Sequence, residues 1–263
     1  MCAARPISTD LKGKTLLHHP TLDRLQQLRL TGMARALAAQ SQQADIGQLG
    51  FEERLGLLLD SEAAERESRQ NATRLKRAKL KQAATPEDVD FRHPRGLDRA
   101  LFARLMAGDW VAAHQNVLIC GPTGVGKTFL ACALANQACR QGYSVFYVRL
   151  PRLLPALALG RQDGSYAKTL AQLARTEVLV IDDWGLAPLT DESRRDLLEI
   201  VDDRHGCRST LITSQLPVPH WHAAIGDPTL ADAILDRLVH NAYRLTMKGE
   251  SLRRKKAEEQ AAS

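Results

Sequence analysis

Asn116 to Ala135 reads NVLICGPTGVGKTFLACALA, and the fold is decided there. Gly121, Pro122, Thr123, Gly124, Val125, Gly126, Lys127 and Thr128 match the phosphate-loop pattern G-x-x-x-x-G-K-[ST] at every fixed position. Upstream, Val117 to Cys120 is a short apolar run suited to a buried parallel strand. Downstream, Phe129 to Gln141 is rich in Ala and Leu, which suits a helix, and Gly142 is placed to end it. Glycines let backbone N–H groups turn inward and approach phosphate oxygens closely. The helix that follows points its positive end at that anion. The pattern therefore predicts bound ATP, with Lys127 reaching the β- and γ-phosphates and the Thr128 hydroxyl meeting Mg2+.

Further along, Val178-Leu179-Val180-Ile181-Asp182-Asp183 is an apolar strand ending in two acids, the form of a Walker B motif. Asp182 is expected to hold Mg2+ through its water shell. Asp183 stands where a carboxylate orients and polarises an attacking water. Ser144 to Leu150 and Ser209 to Ser214 are further strand candidates, and Tyr243 to Met247 makes a last one. Helical patterns lie between them, so the spacing predicts a parallel sheet with helices on both faces and the ligand at the carboxyl ends of the strands. Gln215, at the tip of one strand, reads either as a contact to the γ-phosphate or its water, or as an ordinary polar strand end. Thr190 or Asp191 should cap one helix, and Thr229 with Asp232 another.

The leading segment carries no strand signal. Leu22, Leu25, Leu28, Met33 and Leu37 follow one helical spacing, Gly50 breaks it, and a second helix begins at Phe51. The expected layout is a helical domain over 1–83, a Pro-containing linker over 84–96, and an ATPase domain over 97–263 with a basic tail. Arg74, Lys76, Arg77, Lys79 and Lys81 read either as a surface for DNA phosphates or as a solvated helix face. The tail residues Arg253, Arg254, Lys255 and Lys256 suit phosphate contacts too.

Bulk properties agree. Of 263 residues, 44% are hydrophobic and 5% aromatic, enough for a core built mostly from Leu, Ala, Val and Ile. A net charge of +6 makes an acidic partner such as nucleic acid plausible. Five cysteines, an odd count without a C-x-x-C pair, indicate neither a disulfide framework nor a zinc site, and Cys120, Cys132 and Cys139 read as small buried residues. With no secretory signal and no long apolar run, a cytoplasmic protein without a membrane partner is expected.

Four later stretches are more specific: IDDWG at Ile181–Gly185, LITSQLP at Leu211–Pro217, GDPTLADAILDRLVHNAYRL at Gly226–Leu245 and KGESLRRKK at Lys248–Lys256. With RLTGMARAL in the leader, they resemble the IstB-like ATP-binding proteins, helper ATPases encoded beside the transposase of one group of bacterial insertion sequences. That family is similar to DnaC-type helicase loaders and to the AAA+ class. The resemblance implies an α/β P-loop NTPase (AAA+) fold preceded by a small all-helical domain. It implies a catalytic set of Lys127, Asp182, Asp183, Gln215 at the sensor-one position and Arg237 as an arginine finger reaching a neighbouring copy. Asp183 stands where many AAA+ proteins have Glu, and Gln215 where Asn is common. The alternative for Arg237 is a salt bridge to Asp232 or Asp236. Arg253 lies where a sensor-two arginine would be sought. The implied partners are double-stranded DNA, a cognate transposase and further copies of the chain. Two other readings share the same residues: a replicative helicase loader, and a nucleotide-switched DNA-binding module with negligible turnover.

Overall fold

The computed structural model describes residues 20–252. The chain divides into two compact units between Gln70 and Asn71. The first holds α1 (Pro20–Gln27), α2 (Thr31–Gln40) and the beginning of α3 (Phe51–Ala78).

The apolar spacing from Leu22 to Leu37 is split between two helices, with Arg29 in the left-handed region at φ 59°. The cause is tertiary. Gly32 lies so close to α3 that a Cβ there would stand 2.5 Å from the Ser61 carbonyl oxygen. From α3, the Glu62 carboxylate accepts the N–H groups of Gly32 at 2.8 Å and Met33 at 3.2 Å. The orphan donors of the α2 N-terminus are thus capped from another helix, a device that local spacing does not reveal. The Arg66 guanidinium beside Glu62, helped by these two amides, holds its carboxyl below the usual range.

The second unit is a five-stranded, all-parallel sheet of β1 (Asn116–Cys120), β2 (Val145–Arg149), β3 (Val178–Trp184), β4 (Ser209–Ser214) and β5 (Ala242–Thr246), in the order β2-β3-β4-β1-β5. Its strands are apolar almost throughout because both faces are covered. Val117, Ile119, Val178, Val180 and Leu211 meet α4 (Arg99–Ala107), α5 (Asp109–Ala112) and α6 (Lys127–Arg140). Leu118, Leu179, Ile181 and Ile212 face α7 (Leu150–Asp163), α8 (Tyr166–Arg175), α9 (Asp191–Arg204), α10 (Trp221–Ile225) and α11 (Pro228–Val239).

The compact units divide before the expected boundary at residue 83. Ala78 and Ala84 are fully buried in the core of the second unit, with Leu75 and Leu80 packed against them. The last turns of α3 therefore belong to the sheet unit. So does the 84–96 stretch, which composition suggests is a linker: Val89 and Arg95 are buried within it.

Helix starts follow local chemistry, with one correction. Thr190 caps α9 by accepting the Ser193 N–H at 3.2 Å, as expected. The cap of α11 is Asp227, which accepts the Leu230 N–H at 2.8 Å, and not the Thr229–Asp232 pair. Pro228 is the reason: its fixed φ and missing N–H suit the first helical position, so the helix starts there. Cys120, Cys132 and Cys139 are buried, and burial pushes the Cys120 and Cys139 thiols up to about 11.

Candidate nucleotide site

At the carboxyl end of the sheet a cavity of about 510 Å³ opens beside the loop from Gly121 to Gly126. That volume lies in the range of small-molecule sites. The loop's shape requires glycine in two ways. Gly124 and Gly126 adopt φ of 88° and 94°, which side-chain-bearing residues rarely occupy. At Gly121 a Cβ would stand 2.5 Å from the Met247 carbonyl oxygen, where the chain leaving β5 crosses the loop. Gly126 caps α6 without a side chain, so the amides of the first turn are not capped by that residue. Lys127 is buried, and its ammonium donates to the carbonyl oxygens of Gly121 and Pro122, both at 2.7 Å.

The Thr128 hydroxyl lies 3.0 and 3.2 Å from the two oxygens of Asp182. Asp182 is fully buried and also accepts hydrogen bonds from Tyr147 Oη and Thr213 Oγ1. Burial, then the contact with Asp182, raises the Tyr147 phenol well above its ordinary value, so it stays a donor. Lys81 completes the surroundings, its Nζ 3.7 Å from Asp182 Oδ2. A hydroxyl and a carboxylate side by side beneath a phosphate loop suit Mg2+, which takes one or two protein oxygens and fills its shell with water and phosphate. Among the described residues no cluster of three or more His, Cys, Asp or Glu side chains forms.

Asp183 sits in an irregularity of the strand: the β3–β4 register shifts between Ile181 and Trp184, and Asp183 has φ of 65°. Such a bulge re-aims a side chain at the cost of about 1–2 kcal/mol of backbone strain. Arg149, at the end of β2, donates from Nε to Asp183 Oδ2 at 2.6 Å, while the Asp183 N–H donates to Thr213 Oγ1 at 3.3 Å. Thr213 therefore contacts both acids. Gln215 Oε1 accepts from the Thr123 hydroxyl at 2.8 Å, so this side chain reaches the P-loop.

Arg95 was not foreseen. Only 3% exposed, it donates to the backbone oxygens of Asp90 at 2.8 Å and Val125 at 3.4 Å and lines the cavity, while its Nε has no hydrogen-bond partner among the described residues. Arg149, Tyr147, Thr213 and Lys81 were likewise not read as part of this site. For Arg149, Tyr147 and Thr213 the local hint is polarity at or near a strand end, whereas Lys81, just past α3, shows locally only as part of a basic run.

Arg237 is elsewhere. Asn116, the first residue of β1, donates from Nδ2 to the carbonyl oxygens of Arg237 and Leu238, both at 3.2 Å. The P-loop leaves the other end of β1, roughly 16 Å away at about 3.3 Å per residue. The Arg237 guanidinium pairs with Asp202 at 2.6 Å. It does not pair with Asp232 or Asp236, which face His222 at 3.3 Å and His240 at 2.9 Å.

The basic run is not one uniform face. Lys76 and Arg77 are exposed. Arg74 is half-buried and donates to the Cys139 carbonyl oxygen at 3.5 Å, and the Lys79 ammonium lies 5.7 Å from the centre of the Phe146 ring. Lys81 lines the cavity, with its side chain 37% exposed. Arg253, Arg254, Lys255 and Lys256 lie outside the described residues. No helix among the described residues is long and apolar enough to cross a membrane.

The family model described as IstB-like ATP binding protein matches residues 23–261. The chain belongs to the IstB-like ATP-binding family. An insertion sequence ATP-binding protein of Sinorhizobium fredii is 57% identical across 91% of this chain and 98% of its own length. One from Mycobacterium tuberculosis is 35% identical across 88% of this chain and 93% of its own. Among solved structures, DnaI superposes with a TM-score of 0.56 at 24% identity, over 63% of this chain and 91% of that one. The replication initiator DnaA bound to AMPPCP and single-stranded DNA reaches 0.53 at 17% identity, over 70% and 56%. These two likenesses show the fold, that of P-loop NTPases. The family and the two insertion sequence relatives are described as ATP-binding proteins.

Proposed function

We propose that this IstB-like protein hydrolyses ATP, assembles as a homo-oligomer on double-stranded DNA, and there recruits or stimulates the transposase of its insertion sequence. The observation that carries the hydrolytic part is the convergence of Thr128 and Asp183 in one cavity beside the P-loop, with the buried Asp182 hydrogen-bonded to Thr128. Thr128 and, through water, Asp182 would hold Mg2+, which would neutralise charge on the β- and γ-phosphates. Lys127 and the loop amides grip the phosphates. Asp183 orients the attacking water, and Gln215, held by Thr123, faces the same cavity. Arg237 lies at the opposite end of β1, so it serves a phosphate held by an adjoining copy and not its own.

Arg149 restrains this chemistry. Its guanidinium occupies one oxygen of Asp183. Arg149→Ala is expected to raise ATP turnover in the absence of DNA by about threefold to tenfold, a small part of the roughly 10²–10⁴ that a positioned base supplies. Nucleotide affinity should stay within about twofold, as titration with a fluorescent ATP analogue would show. A fall in turnover would mean that Arg149 supports Asp183 instead of restraining it.

The assembly is tested by sizing the protein on duplex DNA with ATP, with ADP and without nucleotide. The proposal expects a large species only with ATP and DNA together. A particle of monomer size in all conditions would remove the oligomer and, with it, the trans role of Arg237. A helicase loader would share the same ATPase core, but the relatives are named for insertion sequences. Stimulation of strand transfer by the cognate transposase separates the two.

A further inference from the structure

The chain leaves α3 through Lys79, whose φ of 53° turns it left-handed, and this turn precedes Lys81. Lys81 lines the nucleotide cavity, with its ammonium 3.7 Å from Asp182 Oδ2. Asp182 has no exposed surface, and the hydrogen bonds it accepts come from the hydroxyls of Thr128, Tyr147 and Thr213. Hydroxyls satisfy lone pairs but leave the charge of a buried carboxylate uncompensated, which is strongly unfavourable. Lys81, its ion-pair partner, supplies the compensation. Its side chain is 37% exposed and long, so the ammonium can withdraw without disturbing the core.

We propose that Lys81 is a positioning residue of the ATP site that neutralises Asp182 until Mg2+ arrives, and so sets how strongly nucleotide binding depends on the metal. This rests on the ATP–Mg2+ reading given above. Two cations drawn to one carboxylate weaken each other's hold, and that negative coupling is reciprocal. Without metal, Lys81 keeps the cavity hospitable to phosphate. With metal, its contribution is largely redundant.

The test measures the dissociation constant of a fluorescent non-hydrolysable ATP analogue in excess EDTA and in saturating Mg2+. The quantity compared is the ratio of the EDTA value to the Mg2+ value. In Lys81→Met the ratio should rise about fivefold to tenfold over wild type, nearly all of it from weaker binding in EDTA. The half-saturating Mg2+ concentration should fall correspondingly. Lys81→Arg, which keeps the charge, should restore the wild-type ratio to within about twofold. Should Lys81→Met not fold, Lys81→Gln carries the same expectation. A residue that merely held the 79–82 stretch in place would shift both constants together, so a ratio unchanged or lowered in Met and Gln variants overturns the proposal while the nucleotide site stands. Absence of binding by the wild-type protein in both buffers overturns the ATP reading, and this inference with it.

Discussion

Lys127→Ala is expected to lower ATP turnover by about 10²–10³, the usual loss when a preorganised donor to developing phosphate charge is removed. The Lys127 ammonium is held above the loop by the carbonyl oxygens of Gly121 and Pro122, so its position precedes any ligand. Alanine cannot replace it: charge-assisted hydrogen bonds to phosphate are about twice as strong as neutral ones. The fold should survive, because Ala is the best helix former and position 127 opens α6. The melting temperature without nucleotide is therefore expected to stay within a few degrees of wild type, while the stabilisation given by ATP disappears. A variant that turned over ATP at the wild-type rate would show that this loop does not hold the reacting phosphate.

Arg237→Ala should leave nucleotide binding by the monomer intact and reduce turnover of the assembled protein by about 10³ or more, the range for arginine fingers. The proposal expects this separation, because Arg237 sits beside the start of β1 while the P-loop follows its end. The Asp202 partner is exposed, so breaking that pair costs the fold at most about 1 kcal/mol. Mixing provides the decisive measurement. Lys127→Ala retains the finger but lacks the grip, and Arg237→Ala retains the grip but lacks the finger. If the finger acts in trans, the mixture regains part of the wild-type rate in proportion to the mixed interfaces formed. No recovery, together with lost nucleotide affinity in the Arg237→Ala monomer, would assign Arg237 to its pairing with Asp202 alone.

The two results together bear on how this fold works. The P-loop is complete within one stretch of chain, whereas the arrangement around the acids is assembled from separate strands. β3 lies between β2 and β4, which places Arg149 of β2 and Thr213 of β4 on either side of the Asp182–Asp183 pair. Tyr147, two residues before Arg149, points its hydroxyl at Asp182. An engineered change at any of these strand ends would therefore alter the acids without touching the loop.

The sequence by itself determined the P-loop, the alternation of strands and helices, and the two acids closing β3. Each is written in consecutive residues, where spacing reports directly on backbone conformation and on the face a side chain takes. Tertiary structure alone decided which side chains surround those acids, why α2 starts where it does, and that Lys81 faces the buried Asp182 carboxylate while Arg237 lies at the far end of the sheet. The physical reason is that a parallel sheet joins its strands through long crossovers, so neighbours at its carboxyl edge are distant in the chain. Their meeting depends on strand order and register, which no local pattern of residue types encodes.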